Sequence, residues 1–163
     1  MHRFPALILC LISTAGHACP NGSENLVSCT FESGQKQLQT CMAGNQITYS
    51  FGRTGQKPDL ALSRHIHHVD HYPWPGVSRT IWEQFSFENA GVSYRVYYAQ
   101  ERDPRFPEIS GGLYVEQNEE TLAELTCDAG SVIAAGYPLP IFDAKIAAGQ
   151  HFDHETYSWS IPE

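Results

Sequence analysis

The chain carries little positive charge. Its 163 residues include ten Lys and Arg against 18 Asp and Glu, for a formal net charge of −8. A surface with this imbalance repels the phosphate backbone of DNA or RNA, so nucleic acid is not expected as a partner. An anionic membrane surface is disfavoured for the same reason, whereas a basic protein would be attracted to such a surface.

The sequence also lacks an apolar run long enough to cross a membrane, which takes about 20 residues in a helix. The shorter run at residues 4–12 follows Arg3 and precedes a small-x-small site at residues 16–18, just before Cys19. A positive start, a short apolar core and a small-residue site are typical of a cleaved secretory signal. We therefore predict a signal peptide at residues 1–18 and a periplasmic or secreted mature protein with no membrane span.

Recognised catalytic motifs are absent as well. There is no G-x-S-x-G elbow, no H-E-x-x-H pair and no phosphate-binding glycine loop. We therefore do not expect an enzyme.

The mature chain would be a single domain. Removing residues 1–18 leaves 145 residues, a length that supports one hydrophobic core. The removed segment holds Arg3 and no acid, so nine basic residues face 18 acidic ones and the net charge becomes −9. We assign residues 19–149 to one β domain and residues 150–163 to a polar, loosely held tail.

Four cysteines remain once Cys10 leaves with the signal peptide, namely Cys19, Cys29, Cys41 and Cys127. An even number in an oxidising compartment predicts two disulfides. A four-thiolate zinc site would need closely spaced pairs, which the sequence does not have.

The dominant period along the chain is two. Apolar residues alternate with polar ones in about eight short segments separated by turn residues, a pattern typical of antiparallel β proteins. We predict an all-β fold, a small antiparallel barrel or sandwich of about eight strands. Residues 142–148 are expected to add a short helical or irregular C-terminal segment.

The first hairpin has a predicted register. Residues 33–36 fit a two-residue type II′ turn with glycine first, which would pair Phe31 with Leu38 and Val27 with Met42. In this register Thr40 is the neighbour of Cys29 across the hairpin.

The same alternation bears on the disulfides. Cys29 and Cys127 lie in the inward phases of their strands, whereas Cys41 points to the opposite face. Because cysteines on opposite faces of a sheet cannot reach bonding distance, Cys29–Cys41 is disfavoured unless a bulge intervenes. We predict Cys29–Cys127 and Cys19–Cys41.

A histidine-rich segment is the first candidate site. His65, His67, His68 and His71 occur within seven residues, and imidazole suits zinc or copper. The segment is then either a metal site or a solvated strand end. Protonation near pH 6 would also allow it to sense pH.

An aromatic loop is the second candidate site. Tyr72 and Trp74 lie in a proline-stiffened segment, and Trp82 occupies the outward phase of the next strand. Such residues suit a recognition surface, although Trp74 folding back over the end of the domain is the stronger expectation. Arg95 and Tyr97 also lie in an outward phase and would extend a surface patch.

Segments 29–38, 41–53 and 123–132 carry a resemblance. Their sequences, CTFESGQKQL, CMAGNQITYSFGR and AELTCDAGSV, resemble a group of small exported proteins of Gram-negative bacteria without assigned function. The resemblance implies a periplasmic location and supplies no catalytic residues. In size, export and architecture the chain is also loosely similar to periplasmic β-barrel inhibitors of lysozyme.

The sequence thus favours an exported periplasmic binding or inhibitory module, with no catalytic activity expected and a basic protein as the possible partner. The alternative is a periplasmic metal-binding protein that uses the segment from His65 to His71. No cofactor is expected beyond the zinc or copper of that alternative.

Overall fold

The computed structural model describes residues 19–161, so the predicted signal peptide at residues 1–18 lies outside the described residues. The predicted all-β class is confirmed. Two five-stranded antiparallel sheets form a sandwich-like structure and do not close on themselves, so the barrel alternative is wrong. The extra strands beyond the eight expected are short.

The first sheet has the strand order β10-β1-β2-β3-β4. Its strands are β1 Glu24–Phe31, β2 Lys36–Ala43, β3 Gln46–Arg53, β4 Leu60–His65 and β10 Ile133–Ala134. A single 3₁₀ turn, Ile66–His68, leads from β4 into the second sheet.

The second sheet has its strands in chain order. They are β5 Val69–Tyr72, β6 Thr80–Asn89, β7 Val92–Glu101, β8 Ile109–Gln117 and β9 Glu120–Thr126. Strand β5 contains His71 of the histidine-rich segment and Tyr72 of the predicted aromatic loop, so the loop begins only after Tyr72. The four residues of β5 alternate between buried and solvent-facing, which is too short a repeat to stand out locally.

The segment after β10 packs onto the second sheet. The predicted helical turns are present as helix α1, Pro140–Ala147. The expected loose tail instead forms a hairpin of β11 His151–Asp153 and β12 Ser158–Ser160. Phe152 is buried, and the indole Nε1 of Trp159 donates a hydrogen bond to the His71 carbonyl at 2.7 Å. Within residues 19–161, no helix has the length and apolarity needed to cross a membrane.

The core lies between the two sheets. Tyr49 of the first sheet packs against Phe87 and Tyr94 of the second, with ring centroids 5.3 and 5.7 Å apart. Inward residues of β6 and β7 alternate with half-exposed ones, as the period of two predicts.

The predicted register of the first hairpin is wrong. Phe31 pairs with Lys36 and Cys29 with Leu38, so the turn has four residues, 32–35, instead of two. The Asp128 carboxylate explains the larger turn, because it accepts hydrogen bonds from the Ser33 and Gly34 amides at 2.9 and 2.8 Å. Asp128 is more than 90 residues away in sequence, so no local pattern shows this contact.

A bulge in β1 also changes the register of this hairpin. The register shifts between Asn25 and Ser28, and Thr40 lies at the bulge instead of opposite Cys29. Its hydroxyl accepts from the Val27 amide at 3.0 Å and donates to the Val27 carbonyl at 2.7 Å. The side chain thus satisfies backbone groups that the bulge removes from the ladder.

Both predicted disulfides are present. Cys19 bonds to Cys41 with their Cα atoms 5.7 Å apart, and Cys29 bonds to Cys127 with theirs 5.8 Å apart. The second bond joins β1 of the first sheet to the residue that follows β9 of the second. It therefore ties the two layers together.

We expect the bond between the sheets to stabilise the fold more than the N-terminal one. The sequence separations are 98 and 22 residues. By chain entropy, the Cys29→Ser/Cys127→Ser variant should lose about 5 kcal/mol of unfolding free energy, and Cys19→Ser/Cys41→Ser about 3 kcal/mol. Urea unfolding of the two variants measures the difference, and a larger loss for the shorter loop would contradict this account.

Candidate functional site

The outward face of the second sheet is the candidate site. Strand pairing aligns its side chains in rows that run across the strands. One row crosses all five strands and consists of Asp70, Ser86, Arg95, Tyr114 and Glu124.

Neighbouring rows extend this surface. A second row contains Tyr72, Gln84, Tyr97, Gly112 and Thr126, and the row on the other side contains Glu88, Ser93 and Glu116. We call the following set the acidic–aromatic face: Asp70, Tyr72, Trp82, Glu88, Arg95, Tyr97, Tyr114, Glu116 and Glu124.

Two tyrosine rings form the centre of the acidic–aromatic face. Tyr97 stacks on Tyr114 with ring centroids 5.2 Å apart and planes inclined by 27°. Gly112 makes this possible, because a Cβ atom there would lie 2.7 Å from the Tyr97 hydroxyl oxygen. The Tyr114 hydroxyl donates to Glu124 Oε1 at 3.1 Å, and partial burial raises the pKa of both tyrosines. The two rings are therefore uncharged and held against each other.

Arg95 is the single cation of the acidic–aromatic face. It forms an ion pair with Glu116, and its guanidinium carbon lies 5.9 Å from the centroid of the Tyr114 ring. Four carboxylates share this face with it, from Asp70, Glu88, Glu116 and Glu124, and only that of Glu116 pairs with Arg95. The face is therefore strongly negative around one internal counter-charge.

Two shallow depressions flank Arg95. One has a volume of about 310 Å³ and reaches Asp70 and Tyr72, and the other has a volume of about 420 Å³ and reaches Glu116. Both are also lined by Glu88, Ser93 and Arg95. The two depressions therefore adjoin at these three residues.

The predicted aromatic residues are divided between two places. Tyr72 stacks on Trp82 at 5.6 Å, and Tyr157 from the C-terminal hairpin stacks on Tyr72 at 5.2 Å. These rings form one edge of the acidic–aromatic face. Trp74 instead folds back on its own loop, where its Nε1 donates to the Val77 carbonyl at 2.7 Å.

The predicted histidine cluster does not converge on one point. The rings of His65 and His67 approach to 4.7 Å, but His67 Nε2 also lies 3.1 Å from the Ala148 carbonyl oxygen. His68 is exposed, while His71 is buried in the interior. In the described part of the chain, no group of three His, Cys, Asp or Glu residues is arranged to hold a metal ion. Metal binding stays a prediction that rests on the His65–His67 pair.

His71 belongs to a buried polar network beneath the acidic–aromatic face. Its Nε2 lies 3.3 Å from Glu83 Oε1. Glu83 Oε2 accepts hydrogen bonds from the Tyr98 hydroxyl at 2.9 Å and the Leu139 amide at 2.8 Å. Burial lowers the pKa of His71, so the neutral ring is favoured. The network links the second sheet to the start of the C-terminal segment.

A buried lysine completes this link. Lys145 of α1 donates from Nζ to the Ile66 carbonyl at 3.0 Å and to Gln150 Oε1 at 3.1 Å, and lies 5.1 Å from the centroid of the Trp159 ring. Burial lowers the pKa of Lys145 to about 8. The amine therefore serves a structural role at a cost in desolvation.

The sequence pattern predicts Arg95 and Tyr97 on an outward phase, as it does Trp82, but it did not identify Tyr114 and Glu116, the β8 residues that Tyr97 and Arg95 contact. The alternation that places Leu113 and Val115 inward also places Tyr114 and Glu116 outward. Glu83 also marks a functional or structural position in the sequence, because it is a charged residue within the otherwise apolar, inward-facing phase of β6.

Lys145 gives a testable dependence on pH. Its pKa is about 8 in the folded protein and near 10.5 when unfolded, so the unfolded state binds more protons between these values. The free energy of unfolding should therefore rise from pH 8 to pH 9.5, by about 1 kcal/mol per pH unit. Chemical denaturation at several pH values measures the slope.

The Lys145→Met variant is the control for this slope. It should lose the rise, whatever its overall stability. The range stops below pH 10 because the raised pKa values of four tyrosines oppose the trend above it, those of Tyr49, Tyr97, Tyr98 and Tyr114. A wild-type profile that is flat from pH 8 to 9.5 would contradict the assignment.

The chain matches no protein-family model, no curated protein and no solved structure.

Proposed function

We propose that the protein is an exported binding or inhibitory module that holds a basic protein partner on the acidic–aromatic face. The observation that carries the proposal is the placement of four carboxylates and stacked tyrosine rings on one open sheet face, with Arg95 as the one cation among the residues that define it. Opposite charge steers a basic partner to this face, and the rings offer contact area that loses little entropy on binding.

The construction of the face supports binding more than catalysis. Its tyrosines are fixed by stacking and by the absence of a side chain at Gly112, so the surface is organised before a partner arrives. Its depressions are shallow and open, which suits a protein surface better than an enclosed small molecule.

The disulfides support export. Two such bonds persist in oxidising compartments, and the periplasm is the one that the sequence resemblance implies. An exported module with an acidic face would encounter basic proteins there or outside the cell.

Binding to a basic protein tests the proposal. The chain from Cys19 to Glu163, with both disulfides formed, is titrated into lysozyme as a basic probe by calorimetry at about 50 and about 200 mM salt. We expect micromolar or tighter binding that weakens as salt rises, because the attraction is electrostatic. A lysozyme activity assay of the same mixture separates inhibition from simple binding.

Two charge-matched variants locate the binding surface. Glu88→Gln/Glu124→Gln removes two carboxylates from the acidic–aromatic face and should weaken binding roughly tenfold at low salt. Glu24→Gln/Asp59→Asn removes two exposed acids near the first sheet and should leave binding within about twofold of the wild type. Equal losses in both variants, or no binding to lysozyme or to a second basic protein, would overturn the proposal.

Metal binding is the second proposed function, and the approach of the His65 and His67 rings to 4.7 Å favours it. Titration with Zn²⁺ or Cu²⁺ should then show micromolar affinity, about −8 kcal/mol, that the His65→Ala/His67→Ala variant loses. Absence of micromolar binding by the wild type would remove this proposal.

A further inference from the structure

Arg95 occupies an unusual position for a surface cation. It lies in the middle of the acidic–aromatic face, where its guanidinium meets the Glu116 carboxylate and the Tyr114 ring. A carboxylate beside an aromatic ring is the chemistry that recognises an arginine side chain at a protein interface. The face therefore already holds, from its own chain, the group that a basic partner would present.

Arg95 lies at the place where the two depressions adjoin. Both are lined by Glu88, Ser93 and Arg95, so they adjoin at these residues. Turning the Arg95 side chain outward would remove the part of the wall that it contributes to both depressions. The Arg95 side chain is 34% exposed, so it can turn without displacing the core.

We propose that Tyr114 and Glu116 form a guanidinium-binding subsite, that Arg95 fills it when no partner is bound, and that an arginine of the basic partner replaces Arg95 there. This inference rests on the proposed function and names the side chain that the face selects. After the exchange, Glu116 still has an ion-pair partner and the Tyr114 ring still has a guanidinium beside it. Arg95 therefore competes with the partner's arginine for the same subsite.

The subsite selects arginine over lysine. The Tyr97–Tyr114 stack offers a flat surface, and a planar guanidinium lies on a ring while donating two parallel hydrogen bonds to a carboxylate. A lysine ammonium is a strongly hydrated point charge and gains less from either contact. Selectivity between the two cations is therefore a property of this subsite and not of net charge.

Removing the competitor is the direct experiment. Hexa-arginine and hexa-lysine peptides serve as probes, and affinities are measured by calorimetry for the wild type and the Arg95→Ala variant. We expect Arg95→Ala to bind hexa-arginine roughly tenfold more tightly, because the Glu116 carboxylate no longer has an internal partner. The gain for hexa-lysine should be smaller.

Arg105→Ala is the matched control. Arg105 is 79% exposed, pairs with Asp103 in the loop between β7 and β8, and carries the same charge as Arg95. Its removal changes the net charge equally but leaves the subsite intact, so hexa-arginine affinity should stay within about twofold of the wild type. Circular dichroism checks folding, and Arg95→Gln, which keeps more of the side chain, repeats the test.

The outcomes separate this inference from the proposed function. Equal gains in Arg95→Ala and Arg105→Ala, equal gains for both peptides, or weaker binding by Arg95→Ala would overturn the inference while leaving a cation-binding face. If no variant binds either peptide and the wild type binds no basic protein, both are overturned.

Discussion

The ladder between β6 and β7 is the constraint on which the rest of the structure depends. Ten consecutive residue pairs join Thr80–Asn89 to Val92–Glu101 without a bulge. This register places Phe85 and Val96 in the core and Arg95 on the outside. A slip of β7 by one residue would bury Arg95 and expose Val96 and Tyr98, so the hydrophobic pattern specifies the register strongly.

The interior under this ladder is polar as well as apolar, and that explains how the C-terminal segment is held. The carboxylate of Glu83 is fully buried against His71 and Tyr98, and it accepts a hydrogen bond from the Leu139 amide. Lys145 then fixes α1 to the connection between the two sheets. Since buried polar groups need partners, these bonds keep the segment in place on the second sheet. The same segment contributes a ring to the edge of the acidic–aromatic face, so the interior network supports the candidate site.

Alternation alone predicted much of the fold, because each strand carries its own inward and outward phase. It located eight strands and paired Cys29 with Cys127, since only inward cysteines of facing sheets can meet. It failed where distant groups decide local structure. The conformation of the first turn depends on hydrogen bonds to Asp128, which lies far along the chain. The final hairpin depends on the burial of Phe152 against other aromatic rings. The candidate site was visible only in part, because a row across five strands requires the registers of four ladders at once. Arg95 was placed outward from sequence, but its pairing with Glu116 was not accessible.

The central claim is that the outward face of the second sheet binds cationic proteins. The most direct test maps the contact by nuclear magnetic resonance, recording amide shifts of the isotope-labelled protein during titration with lysozyme. We predict that the shifts concentrate on outward residues of β6, β7 and β8, around Arg95, Tyr97 and Tyr114, and fade as salt is raised. Shifts confined to the first sheet or to the histidine segment would contradict the claim.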